Sequence, residues 1–271
     1  MIVGVDHIAL SCADLDTAVN RLSTWGFNAR FAAHGIRNDP SKRPFLQQYD
    51  RTHDIAYCCA PQGVSIELTQ HAAELRPEVS RYQVLFSEMP PDVVDFQESL
   101  PVEWADAMRG EGSLSPVPGF SEALCAQLWY QQQPTSRGVH VRGVVLPVTD
   151  LDLAERFWVQ GLGAMRAEQS SGSPQTWRKV RFARPVPAWS LDLLLVAAPG
   201  YHYTSGFLDV AGFPCLALLT NRLDEDLERA CDSGGHSPSE AFAIEVDGNL
   251  LKVVLLRGSS DELVELIEVH R

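Results

Sequence analysis

The chain is short of positive charge. It sets 22 Lys and Arg against 35 Asp and Glu, a formal net charge of −13. An acidic surface repels phosphate backbones and anionic lipid headgroups, which argues against nucleic acid and membrane surfaces as partners. No apolar run is long enough to span a bilayer. The opening residues, Met1-Ile2-Val3-Gly4-Val5-Asp6, carry no basic segment of the secretory kind, so the expected compartment is the cytoplasm. The six cysteines (Cys12, Cys58, Cys59, Cys125, Cys215 and Cys231) include no CxxC pair. They read as buried, reduced thiols rather than as zinc ligands or a disulfide framework. GxSxG, HExxH, GxGxxG and phosphate-loop patterns are all missing, which removes the chemistries those patterns carry.

What is present is a repeated phrase. At 271 residues, with 45% apolar and 21% charged residues, the chain can build a large core or two domains. The phrase is first seen from Val5 to Ala18, as a short strand running into a helix. In the strand Ile8 and Leu10 point one way, and His7, Ala9 and Ser11 the other. Asp14 is placed to cap the helix, whose apolar stripe is Leu15, Val19 and Leu22. The phrase returns from Val141 to Ala154 and again from Phe213 to Asp224.

Each copy opens a longer unit. Gly26 ends the first helix, and strands follow at Asn28 to Ala33, His53 to Ala60 and Val64 to Thr69, giving the order βαβββ. The unit from Val139 has the same order, with strands ending at Val196. The last has strands at Phe213 to Leu219, Ala241 to Val246, Leu250 to Leu256 and Leu263 to Val269. The stretch from Ala72 to Arg137 is less regular. Arg81 to Phe86 reads as a strand, Asp92 to Met108 as helix, Gly110 to Gly119 as a loop, and Leu124 to Gln131 as strand or helix. Repetition of this kind implies an α+β chain of βαβββ modules.

Asp6-His7-Ile8-Ala9-Leu10 with Asp14-Leu15-Asp16-Thr17-Ala18, then Gly26-Phe27, then Gly63-Val64-Ser65-Ile66-Glu67-Leu68, resembles the vicinal oxygen chelate superfamily. That superfamily includes glyoxalase I, bleomycin-resistance proteins and extradiol dioxygenases. The resemblance implies modules paired into cup-shaped curved sheets. It also implies two tandem domains, expected here at 1–135, with its second module degenerate, and at 136–271. A divalent metal is implied within a cup, held by a His on a first strand and a Glu on a last strand. Those positions fall on His7 and Glu67. Alternation agrees, since Ile66 and Leu68 face the helix and leave Glu67 on the cup side with His7. An imidazole and a carboxylate suit iron, manganese, zinc or nickel.

The later units depart from the pattern. Aligning Leu15 with Leu151 puts Gly143 where a ligand His would stand, and aligning it with Leu223 puts Cys215 there. Glu268 falls at the implied carboxylate position of the last unit, and Asp192 is the counterpart in the middle unit. His53 is the expected third ligand, with His34 and His71 as other histidines able to complete the set. Glu67, His53 and Glu268 are the candidates for acid–base work. The resemblance thus implies a metal-assisted enzyme on a small oxygenated organic substrate, in a homodimer. It would be an isomerase, lyase, hydrolase or dioxygenase. The alternative is a metal-free drug-binding protein of the bleomycin-resistance kind. The cup carrying Gly143 and Cys215 is expected to be apolar.

Overall fold

The computed structural model describes residues 1–60, 62–71, 82–88, 90, 93–95, 116–121, 124, 126–131, 138–169, 176–184, 189–198, 206–246 and 248–269. The first unit runs β1 (Ile2–Ser11), α1 (Leu15–Thr24), β2 (Asn28–Arg37), β3 (Thr52–Cys59) and β4 (Ser65–Gln70). Asp14 accepts a 2.7 Å hydrogen bond from the Thr17 amide, capping α1 as its place in the sequence predicts. Gly26, at φ +91°, ends the helix in the left-handed region that favours glycine. Leu15, Ala18 and Leu22 are buried, at about 1.5–3 kcal/mol for each leucine removed from water.

The irregular stretch holds β5 (Gln83–Phe86), β6 (Val94–Asp95), β7 (Pro116–Ser121) and β8 (Ala126–Gln131). The expected loop thus becomes strand at its end, and the 124–131 segment resolves as strand. Most of the helix expected at Asp92 to Met108 lies outside the described residues. The third unit is β9 (Val141–Val148), α2 (Leu151–Arg156, continued by a wider turn to Gly161), β10 (Met165–Gln169), β11 (Trp177–Arg184) and β12 (Trp189–Ala197). The fourth is β13 (Gly212–Thr220), α3 (Leu223–Asp232), β14 (Phe242–Val246), β15 (Asn249–Arg257) and β16 (Leu263–Val269).

Among the described residues sixteen strands form two curled mixed sheets of eight. One has the order β14-β15-β16-β13-β1-β4-β3-β2, the other β10-β11-β12-β9-β5-β8-β7-β6. Within every unit the first strand pairs in parallel with the fourth, as Ile8 with Ile66, Val144 with Leu193, Leu216 with Val264 and Val84 with Leu128. Units join through antiparallel seams between first strands, β1 with β13 and β5 with β9.

The first unit therefore shares a sheet with the fourth, and the second with the third. This corrects the expected grouping of 1–135 and 136–271, which would split both sheets. The reason is that every unit carries the same alternation, so the repeat holds no information on which first strands meet.

The main core lies on the helix side of both sheets. It joins Ile8, Leu10, Leu22 and Ile66 of one to Val84, Phe86, Val144, Leu193 and Trp158 of the other. The Tyr82 hydroxyl ties the sheets by donating to the Leu263 carbonyl at 2.6 Å. The opposite faces are separate cups with their own clusters, one around Ala9, Phe45, Cys215 and Ala217, the other around Trp129, Val145, Trp177 and Leu194.

Candidate metal centre

His7 and Ala9 of β1 point into the first cup, beside Glu67 of β4, while Ile8 and Leu10 face the core. The cup encloses a cavity of about 330 Å³. At its floor His7 Nε2 lies 3.6 Å from Glu67 Oε1 and 3.5 Å from Glu265 Oε2. One ligand atom from each of these three residues falls within 4.8 Å of the others.

The backbone explains the convergence. Register pairs Ala9 with Glu67 across β1 and β4, and Ala217 with Glu265 across β13 and β16. It also pairs His7 with Ala217, and Ala9 with Cys215, across the antiparallel seam. A local twofold through that seam thus relates Glu67 to Glu265 and His7 to Cys215. Neighbouring strands about 4.8 Å apart let side chains on one face meet.

A register shift at the seam sits between Val5 and His7, with Asp6 as the extra residue. The bulge brings Asp6 to the same side as His7, where Asp6 Oδ2 is 3.0 Å from His7 Nδ1. The Tyr57 hydroxyl donates to the same Asp6 oxygen at 3.3 Å, and its ring stacks on Phe31. With the Nδ1 proton on Asp6, Nε2 faces the two glutamates. That nitrogen is buried and makes no hydrogen bond. Burial opposes protonation of His7, yet the charge of Glu67 with the Asp6 and Glu265 carboxylates outweighs it and raises the ring well above the usual value. Burial, with the charge of Glu265, pushes Glu67 up to about 7 against the pull of His7. An imidazole nitrogen left unpartnered between two carboxylate oxygens fits a divalent cation.

Other expected site residues lie elsewhere. Glu268 is not in the cluster: its carboxylate accepts from the Leu223 amide at 3.1 Å, capping α3. The fourth unit's carboxylate is Glu265, three residues before Glu268 and so on the opposite face of β16. His53 lines the same cavity but stacks on His71, with ring centroids 5.4 Å apart. Both are buried, and each has an Nδ1 without a partner. Burial, helped by the charge of Lys42, lowers His53 to about 3; burial lowers His71 to about 4. His34 is exposed and paired with Asp54. Cys215 is buried at the place that matches His7, and burial raises its thiol well above the usual range.

Among the described residues the second cup has no such set. Gly143 takes the His7 position, and Leu194, paired with Val145, takes that of Glu67. Across its seam Gln83 pairs with Val145, and Leu85 pairs with both Gly143 and Trp129. Trp129 therefore stands where the first cup has Glu265. A Cβ on Gly143 would lie 3.0 Å from the Asp192 carbonyl, so a side chain there must displace β12. Asp192 itself pairs with Arg181, its Oδ2 accepting at 2.9 Å. The apolar cup expected to carry both Gly143 and Cys215 is not formed: Gly143 lies in the cup of the second and third units, and Cys215 in the other, beside Glu67 and Glu265.

No family model and no curated protein sequence matches the chain. Solved structures do. Glyoxalase I from Zea mays superposes with a TM-score of 0.62 at 14% identity, covering 98% of this chain and 92% of that one. A point mutant of the maize enzyme gives 0.63 at 13% identity, over 98% and 93%. A putative dioxygenase from Bacillus subtilis gives 0.60 at 12%, over 100% and 86%. At these identities the likeness is one of fold: the chain shares the tandem architecture of these structures over nearly its whole length. No helix among the described residues is long and apolar enough to cross a membrane.

Proposed function

We propose that this protein is a vicinal oxygen chelate enzyme that holds one divalent ion between His7, Glu67 and Glu265 and transfers a proton on a small oxygenated organic substrate. The carrying observation is the convergence of these three side chains at the floor of a cavity of about 330 Å³. The donor set suits iron, manganese, zinc or nickel. When bound, such an ion would polarise neighbouring substrate oxygens as a Lewis acid.

The chain's own groups supply the rest. Asp6 holds the Nδ1 proton and aims Nε2. Glu67 and Glu265 approach from opposite sides of the seam. One carboxylate can take a proton from a carbon next to a carbonyl, and its counterpart can return one. Aliphatic side chains of the fourth unit line the cavity beside them.

Metal content by mass spectrometry, on protein purified without chelator, tests the site. Deuterium exchange at a carbon next to a carbonyl tests the chemistry. We expect about one equivalent of metal, and exchange that is lost in Glu67→Gln. Protein that takes up no divalent ion when each is supplied refutes the metal reading. Cys215, at the position matching His7, favours a second reading, a metal-free small-molecule carrier. Tight ligand binding without metal or turnover would establish it.

A further inference from the structure

The first cup has two unlike walls, and one carries Lys42, which feels the charge of Glu67 but makes no ion pair among the described residues. Residues between β2 and β3 form a strap across its end. Asp39 accepts from the Ser41 amide and starts a short 3-10 helix, Pro40–Phe45. Phe45 is buried among Ala9, Cys215, Phe242 and Leu255. The Leu208 amide donates to the Phe45 carbonyl at 2.8 Å, and the Gln47 and Gln48 amides each donate to Asp209 at 2.8 Å. A loop of the first unit is thereby fastened onto the fourth.

The strap delivers Lys42 into the cavity, its Nζ 5.4 Å from the centroid of the Phe242 ring. No carboxylate pairs with Lys42 among the described residues. Its charge lowers both His53 and His71, which line the same end. Each of those rings is more than nine-tenths buried and carries a nitrogen without a partner. Buried polar groups are normally hydrogen-bonded, so unpartnered ones beside a cation with no ion pair point to a missing anionic ligand. The fourth unit's wall, by contrast, is aliphatic: Leu219, Ile244, Leu251, Val253, Leu255 and Ile267.

We propose that the cup binds an amphipathic carboxylate, its anionic end held by Lys42 with His53 and His71 and its apolar body laid on the fourth unit's wall. This rests on the reading of the cup as the substrate site, and is independent of the metal. Lys42 and Arg30 both line the cup, against Asp6, Glu67 and Glu265, and that balance suits a monoanion. A phosphate dianion would face Glu67 and Glu265 with too little positive charge to offset them.

Calorimetric titration of the metal-free protein with octanoate, 1-octanol and octyl phosphate tests the proposal. Octanoate should bind most tightly. Lys42→Met should weaken octanoate roughly ten- to hundredfold while leaving 1-octanol unchanged, and Lys42→Arg should restore most of the loss. Octanoate bound no more tightly than 1-octanol, or less tightly than octyl phosphate, overturns the proposal. So does equal weakening of both chains in Lys42→Met, or no binding of any probe. Because no metal is present, failure of the metal reading leaves this result standing, and the reverse also holds.

Discussion

Glu265 stands beside Ala217 on β16 as Glu67 stands beside Ala9 on β4, and the two carboxylates reach the same nitrogen of His7, at 3.5 and 3.6 Å. The site is therefore shared between the first and last units of the chain. Neither unit alone can complete it.

Removing a ligand should remove the ion. His7→Ala and Glu265→Gln should each lose bound divalent metal, because a stable site needs about three protein ligands. Glu268→Ala should keep it, while losing about 1 kcal/mol of stability with the cap on α3. Mass spectrometry for metal, with thermal melting beside it, checks both. Metal lost in Glu268→Ala but kept in Glu265→Gln would reverse the assignment.

The orientation of His7 depends on Asp6. Asp6→Asn should leave the fold intact and weaken metal binding about 10–100-fold, the usual cost of losing the group behind a ligating histidine. Competition against a metal-sensitive dye gives the number. An unchanged affinity would show that the bulge at Asp6 has no part in aiming the ring.

Cys215 occupies the position that the local twofold equates with His7. Cys215→His should add a fourth ligand and strengthen metal binding at least about tenfold. The larger ring in a packed site should cost about 1–3 kcal/mol in stability. A variant that folds and binds metal no better than the parent would break the equivalence.

The stacked pair His53 and His71 should set the acid limit of the fold. Both have folded values below the ordinary histidine value, about 3 and about 4, so the unfolded chain binds more protons than the native one between there and about 6.5. Their neutral forms favour the native state above about 6.5, and that contribution is lost as the pH falls toward 4. Each titrating ring should steepen the loss by up to about 1.4 kcal/mol per pH unit. Urea melts from pH 7 to pH 4 on the parent and on His53→Gln should show a shallower acid arm in the variant. Parallel curves would mean that the native pair accepts protons normally.

Much of the local structure was legible in the chain order. Alternation in Ile8-Ala9-Leu10 and in Ile66-Glu67-Leu68 settles which side chains face the core, because a strand has a period of two and one face must be buried. Asp14 and Asp150 mark the starts of α1 and α2 for an equally local reason, the free amides of a first helical turn. His7 and Glu67 follow from these local rules together with the resemblance. Which units meet did not follow. β1 and β5 both read as first strands, yet one pairs with β13 and the other with β9, through backbone hydrogen bonds that any side-chain pattern of the same period permits. Glu265, rather than Glu268 or His53, depends on that choice, because it comes within 3.5 Å of His7 only once β16 lies beside β13 and β13 beside β1. The placing of Lys42 by its strap depends on it as well. The sequence by itself determined the faces and the caps, which are local properties; the partners across the seam, and with them the meeting of Glu265 with His7 and the placing of Lys42, were decided only by the tertiary structure.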